Sequence, residues 1–268
     1  MKGGNEMYQQ EFIAVANAAK NKVSFLKENF LGYFLSAILA GLFIGFGVTL
    51  AFSIGGMLNG EPYSKIVMGL SFGVALSLVV MAGAELFTGN NLVMTAGALK
   101  GSVSWGETMK LWGVCYIGNW VGSILLAVLF WGTGIPTGAI GEFIAQSAAT
   151  KMSIEPIPLF LRGLLCNILV CLAIWSTFRC KSESGKLIMI LWCIFAFFTV
   201  GFEHSVANMS ILTIGVLAPF EEAISMGGYF YNLIVVTLGN MVGGIVFTAI
   251  PYFIIAKDKK VSPKRKTA

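Results

Sequence analysis

The chain is built from long runs without charged residues, separated by short segments that hold most of its lysine, arginine and acidic residues. A helix needs about 20 apolar residues to cross the hydrocarbon core of a bilayer. Runs of at least about this length predict six membrane spans. Their approximate bounds are 31–54, 66–99, 111–131, 157–178, 187–217 and 229–254.

Two of these spans are interrupted by ionisable residues. Glu85 falls inside 66–99, and Glu203 with His204 falls inside 187–217. The piece from 86 to 99 is too short to cross a membrane by itself, so each stretch is predicted to be one helix with a non-helical break. Such a break is tolerated at membrane depth only against protein or a water-filled cavity. The sequence therefore predicts an all-α integral membrane protein of six transmembrane helices, with helices 2 and 5 broken.

The two ends of the chain are more polar than the middle. Residues 1–29 predict an amphipathic helix at the cytoplasmic face, because apolar residues recur there at helical spacing. This helix could equally cap a subunit interface. Residues 257–268 form a basic tail, also expected in the cytoplasm. Together with the spans, these segments are expected to form a single transmembrane domain over 1–268.

The distribution of basic residues predicts how the chain crosses the membrane. With six spans, fifteen of the 18 lysine and arginine residues fall on the side that holds both termini. The other side keeps only Lys65, Lys151 and Arg162. Basic residues accumulate in cytoplasmic loops, so both termini are expected in the cytoplasm and the protein in the inner (plasma) membrane. The net charge of +5 is then an orientation signal, and no nucleic-acid partner is expected.

The two halves of the chain are related. Three pairs of segments match in the same order, one at the breaks (G-x-E-x-x-x-small-N) and two within spans. The pairs are 83–90 with 201–208, 118–123 with 239–244, and 34–39 with 160–165. Each repeat, 30–131 and 157–256, holds three spans, so the second must be inserted upside down relative to the first. Inverted 3+3 repeats with broken helices place the substrate path between the breaks.

Composition supports the membrane assignment. The chain is 56% hydrophobic and 12% charged, with a mean hydropathy of +0.80. A soluble domain of this size could not cover so much apolar surface, so lipid must be a partner. The five cysteines are expected to be small packing residues, and no cofactor or metal site is predicted.

Charged and polar residues inside the spans are the candidates for function, because their burial is costly. Glu85 and Glu203 are expected to hold the broken segments by accepting freed backbone N–H groups, with Asn90 and Asn208 as further support. His204 is the single histidine. It is either a core histidine with satisfied hydrogen bonds or a pore residue that offers an N–H, and even a proton, to a weak-acid anion.

Three further residues have open alternatives. Thr88 either presents a hydroxyl to a solute or caps a loop. Asn167 either lines a path or makes a hydrogen bond between helices. Lys151 either attracts anions to the entrance or is simply solvated.

At this point the sequence resembles a known family. Segments 85–90, 162–171 and 201–209 resemble the signature segments of the formate/nitrite transporter family, and the likeness extends from about residue 8 to residue 256. The resemblance implies an aquaporin-like six-helix protomer in a homopentamer, with one pore per protomer. Members of that family pass small monovalent anions of weak acids: formate, nitrite or hydrosulfide.

The resemblance also implies roles for single residues. His204 matches the central histidine and Thr88 the threonine of the first broken loop, while Asn167 and Lys151 match the pore asparagine and the lysine of the outer vestibule. Two apolar constrictions would flank the histidine. Leu86 and its neighbours would form the one on the cytoplasmic side, and Phe72, Val170 and Phe197 would form the outer one. The T-G-N-N run at 88–91 favours the nitrite and hydrosulfide branches over formate.

Rival functions lack their own signatures. An aquaporin-like channel for a small neutral solute is the alternative, but the paired Asn-Pro-Ala motifs of aquaporins are absent from the sequence. Ammonium channels use two pore histidines, and this chain has one. An enzyme is not expected, because the sequence shows neither a metal-binding histidine cluster nor a nucleophile with a plausible base.

Overall fold

A computed structural model describes residues 4–257 of the chain, with side chains from residue 8 onward. The described part holds eleven α-helices and no strand. The helices are α1 (Gly4–Glu28), α2 (Phe30–Met57), α3 (Ser64–Leu78), α4 (Phe87–Lys100), α5 (Trp105–Gly132), α6 (Gly138–Ser153), α7 (Pro156–Arg179), α8 (Glu183–Val200), α9 (Ser205–Leu217), α10 (Met226–Gly244) and α11 (Ile250–Ile255). A π-helical turn extends α3 over Val79–Gly83, and another joins α10 to α11 over Ile245–Ala249.

Six helical stretches in the described residues are long and apolar enough to cross a membrane. They are α2, α3 with its π-turn, α5, α7, α8, and α10 continued through α11. Many of their large apolar side chains point outward, such as Leu31 at 65% exposure and Leu129 at 57%. Since water would not cover such faces, lipid or neighbouring protein must do so. The prediction of six transmembrane helices is confirmed.

Both predicted breaks are present. The first separates the π-turn after α3 from the half-helix α4, and the second separates α8 from the half-helix α9. In each case the chain leaves the helix through a glycine with positive φ: Gly83 at 81° and Gly201 at 92°. Residues with a side chain rarely adopt this conformation. The glycine of the shared G-x-E pattern is therefore where the chain turns out of the helix.

The inverted repeat is visible in how the helices pack. In the first half α2 packs against α5, and in the second half α7 packs against α10. Both pairs approach so closely that a Cβ on Gly122 would meet the carbonyl of Ile38, and one on Gly243 would meet that of Leu164. Small residues allow this close contact between membrane helices. The architecture is thus the aquaporin-like 3+3 arrangement predicted from the sequence.

Helix α6 was not predicted. It occupies the connection between the two repeats and buries Ile144, Ala145, Ala148 and Met152 against the bundle. Its 16 residues are too few for a span, and polar residues on one face interrupt the apolar run. The spacing of the buried residues, at i, i+1, i+4 and i+8, is the amphipathic signal that could have found the helix. α6 and α1 are counterparts, because each supplies a lysine to the break of its own half, as described below.

Candidate functional site

The two breaks meet at the centre of the bundle through one contact between the halves. Thr88, in the first turn of α4, places Oγ1 2.9 Å from Nε2 of His204. The other ring nitrogen, Nδ1, lies 3.1 Å from the backbone N of Ala207 and accepts its hydrogen. A neutral imidazole carries one N–H, so its proton is assigned to Nε2, which donates to Thr88. His204 therefore caps α9 and joins the two half-helices at once.

An asparagine fixes the start of the first half-helix. Asn119 of α5 accepts the backbone N–H of Phe87 through Oδ1 at 2.9 Å. Its amide nitrogen donates to the carbonyls of Ala37 and Glu85, both at 2.8 Å. The side chain thus replaces the backbone partners that the break removes, which would be costly to leave unpaired in a buried setting.

Asn240 of α10 does the same in the second half. Its Oδ1 accepts the backbone N–H of Ser205 at 2.9 Å, and its nitrogen donates to the carbonyls of Gly163 at 2.7 Å and Glu203 at 3.0 Å. Asn119 and Asn240 occupy matching positions in the sequence repeat, but no role was predicted for either residue. The signal was available, since a buried amide inside an apolar span needs partners.

The carboxylate of Glu85 has different partners from those expected. It accepts from Nζ of Lys22 at 2.5 Å, from Nδ2 of Asn90 at 2.9 Å and from the hydroxyl of Tyr33 at 3.2 Å. The prediction that it would accept freed backbone N–H groups is wrong, because Asn119 performs that task. Glu85 instead ties α1, α2 and α4 to the break.

Glu203 repeats this arrangement with the lysine that was expected to face the entrance. Its two oxygens lie 2.9 and 2.7 Å from Nζ of Lys151, and Asn208 donates to it at 2.7 Å. The side chains of Lys151 and Glu203 are 17% and 4% exposed. Neither alternative considered for Lys151 anticipated this ion pair, because α6 was not predicted. Like Glu85, Glu203 does not bind the freed backbone N–H groups.

Asn167 contacts the backbone of Thr88, the residue that pairs with His204. Its fully buried amide nitrogen is 2.7 Å from the carbonyl of Asn240, 3.0 Å from Oδ1 of Asn91 and 3.2 Å from the carbonyl of Thr88. It lines none of the three cavities described next. The geometry favours the alternative of a hydrogen bond between helices over that of a path-lining amide.

Three cavities adjoin the breaks and share lining residues. The first, the α6-side vestibule, has a volume of about 490 Å³ and reaches from Lys65 and Arg162 inward to His204. The third, the α1-side vestibule, has about 410 Å³ and reaches from Lys22 inward to Leu86. Between them lies an enclosed chamber of about 10 Å³, barely enough for one water.

The predicted constriction residues surround this chamber. Phe72, Val170, Phe197 and Leu86 all line it together with His204. Phe72 and Phe197 also border the α6-side vestibule, and Leu86 borders the α1-side vestibule. The Phe72 and Phe197 rings meet edge to face with centroids 6.0 Å apart, and the Phe197 ring stacks on the imidazole of His204 at 6.0 Å. The only polar group in the lining of the chamber is His204.

Residues 4–257 contain no group of three histidine, cysteine or acidic side chains placed to hold a metal ion. The described cysteines are free thiols, four of them buried. The arrangement suits passage of a small solute between two vestibules.

Comparison with known proteins decides the family. The family model described as "Formate/nitrite transporter" matches residues 9–254. The chain belongs to the formate/nitrite transporter family. The nitrite transporter NirC of Escherichia coli (strain K12) is 39% identical to it over 227 residues, which cover 84% of each chain.

Two solved structures resemble the fold of this family member. One, titled an FNT family ion channel, superposes with a TM-score of 0.88 at 36% identity and covers 91% of this chain and 98% of the other. The second, a pentameric formate channel with formate bound, has a TM-score of 0.75 at 32% identity and covers 85% and 98%. The chain is therefore a multi-pass membrane transport protein and not an enzyme.

Proposed function

We propose that this member of the formate/nitrite transporter family forms a pore for small monovalent anions of weak acids. Nitrite and formate are the first candidates, and hydrosulfide is the third. The names of its relatives support the first two, since one is a nitrite transporter and another structure is a formate channel with formate bound. The T-G-N-N run at 88–91 favours nitrite and hydrosulfide.

The observation that carries this proposal is one apolar chamber, lined by the single histidine, that shares lining residues with a vestibule on either side. An ion loses its hydration in so small an apolar space, and that loss is expensive. Weak-acid anions have a route that strong-acid anions lack, because a gained proton makes them neutral. The chamber thus selects for small size and for acids that are neutralised easily.

His204 is proposed to present a hydrogen bond donor to the solute, and Thr88 to position it. An anion in the chamber would compete with the Thr88 hydroxyl for the Nε2 proton. Full proton transfer would require His204 to take up a second proton first. That proton would go to Nδ1, at the expense of the hydrogen bond from Ala207. Flux that depends on pH would reveal this step.

The assembly of the protein and its orientation in the membrane are also part of the proposal. We propose a homopentamer with one pore per protomer, on the precedent of the pentameric formate channel. The basic residues on the α1 side favour the inner membrane with both termini in the cytoplasm. The α1-side vestibule would then open to the cytoplasm and the α6-side vestibule to the outside.

Solute flux into proteoliposomes that hold the purified protein tests the proposal. Nitrite, formate and hydrosulfide are compared with glycerol, a neutral solute, at several pH values. The anions should enter faster than into empty liposomes, while glycerol should not. Passage of glycerol without passage of the anions would instead support the aquaporin-like alternative, and no passage of any of the four would contradict both.

A further inference from the structure

The three cations that line the α6-side vestibule differ in their partners. Lys151 is held by both oxygens of Glu203, so its charge is compensated at short range. Arg162 and Lys65 line the same cavity with exposed side chains, and neither forms an ion pair within the described residues. The lining also includes one further carboxylate, Glu61, which pairs with neither.

The opposite mouth lacks such charges. In the lining of the α1-side vestibule the one cation is Lys22, and it is paired with Glu85. The inverted repeat identifies the residue in the first half that corresponds to Arg162. The backbone N–H of Glu203 donates to the carbonyl of Arg162, and in the first half that of Glu85 donates to Ser36. The repeat therefore places a serine in one mouth at the position where the other mouth has an arginine.

We propose that Arg162, with Lys65, forms the anion-capture site of this pore, and that the Lys151–Glu203 pair supports the break instead. The inference rests on the proposed function, because it concerns how the anion reaches the chamber. The backbone carbonyl of Arg162 accepts the N–H of Glu203, the residue before His204, and both Arg162 and His204 line the α6-side vestibule. A guanidinium offers paired N–H donors that fit planar anions with two oxygens, such as nitrite and formate.

The site acts by raising the anion concentration at one mouth. Unpaired charges in a cleft with low-dielectric walls focus the electric field and speed the arrival of counter-ions. Salt screens this effect over about 10 Å at 0.1 M. The rate of anion permeation rises in both directions, because the site lowers the energy barrier at the α6-side mouth for anions that leave as well as for anions that enter. Salt added on the α6 side alone should therefore slow flux, and salt on the α1 side should not.

The test measures formate flux at low formate concentration in proteoliposomes with one known orientation. The concentration of a salt made of two large impermeant ions is raised on one side of the membrane, and sucrose is added on the other side for osmotic balance. The variants are Arg162→Gln, Lys65→Gln, the double variant and Arg162→Lys. Lys20→Gln is the matched control, because Lys20 is exposed on α1 and lines no vestibule. Size-exclusion elution checks that each variant remains folded.

The double variant should show flux reduced about tenfold, with little remaining response to salt on the α6 side. Arg162→Lys should recover most of the rate, and Lys20→Gln should behave as wild type. A double variant with the wild-type rate and the wild-type salt response would overturn the capture site. A wild-type protein with no flux above empty liposomes would overturn the proposed function, and this inference with it.

Discussion

His204 and Leu86 occupy equivalent positions at the two breaks, just before the half-helices α9 and α4. His204 caps its helix through Nδ1, whereas Leu86 supplies no cap and lines the chamber with an apolar side chain. The chamber therefore receives a polar side chain from one break and an apolar side chain from the other. A single histidine at a break was visible in the sequence, and so was its mismatch with Leu86.

The partners of these residues were harder to predict. Thr88 lies 116 positions from His204 in the chain, so only the fold brings them together. Asn119 and Asn240 are conspicuous in apolar spans, yet the sequence does not say which backbone groups they satisfy. Lys151 could not be given its partner, because the helix that carries it was not predicted.

Gly201 supports a prediction at the residue scale. Gly201→Ala should destabilise the protein by about 1–2 kcal/mol, because its φ of 92° is unfavourable for a residue with a Cβ. Gly113→Ala is the matched control. Gly113 lies inside α5 with open space around its Cβ position, and alanine favours the helix by up to about 1 kcal/mol. Thermal unfolding of the purified variants measures both effects, and equal loss in the two would contradict the account.

Asn240 supports a second prediction at this scale. Asn240→Ala removes one acceptor and two donor contacts, and leaves the N–H of Ser205 without its partner. The expected loss is about 1–3 kcal/mol, the usual cost of a buried unsatisfied group. Leu238→Ala, at a side chain that is 53% exposed on the same helix, should cost less. A thermal unfolding midpoint unchanged in the Asn240 variant would show that the break does not depend on this amide.

At the scale of elements, the two breaks are each held by a lysine from a helix outside the spans. α1 contributes Lys22 and α6 contributes Lys151. Each half therefore consists of three spans and one further helix outside the spans. Hydropathy predicted the spans, because uncharged apolar runs of this length are typical of membrane-crossing helices. The periodic pattern of α1 predicted that helix, whereas the similar pattern of α6 lies in the connection between the repeats, for which no element was predicted.

The Lys151–Glu203 pair can be tested as a unit. Lys151→Met should destabilise the protein strongly, by about 3–5 kcal/mol, because it leaves a buried carboxylate without its partner. The double variant Lys151→Met/Glu203→Gln should recover part of this loss. The more exposed pair Lys27–Glu107 is the control, and Lys27→Met should destabilise the protein far less than Lys151→Met, because solvent screens this pair. Thermal unfolding of wild type, of the single variants Lys151→Met and Glu203→Gln, and of the double variant measures the coupling, and strictly additive losses would contradict it.

At the scale of the whole molecule, the transmembrane architecture followed from hydropathy and from the repeat, whereas the assembly did not. Apolar faces on α2, α5 and α8 are exposed in a single chain, and the sequence pattern does not say whether lipid or another copy covers them. The pentameric formate channel that this chain resembles supports the proposed homopentamer. Closed rings of identical subunits cover such faces symmetrically.

Native mass spectrometry of the detergent-purified protein tests the proposed assembly. Five copies per particle are expected, on the precedent of the pentameric formate channel. A monomer, or a ring of another number, would show that this chain departs from that structure. The proposed path through each protomer would survive such a result, because all three cavities are lined by one chain.

The measurement that tests the central claim most directly is nitrite and formate flux across pH for His204 variants in proteoliposomes. His204→Leu removes the one polar group of the chamber, while His204→Asn lacks the imidazole but retains an acceptor that can cap Ala207. Both variants should change anion selectivity or the pH dependence of flux, and His204→Asn should lose less stability than His204→Leu because it keeps the cap on α9. Unchanged flux of both anions at every pH in both variants would contradict a path through the chamber at His204.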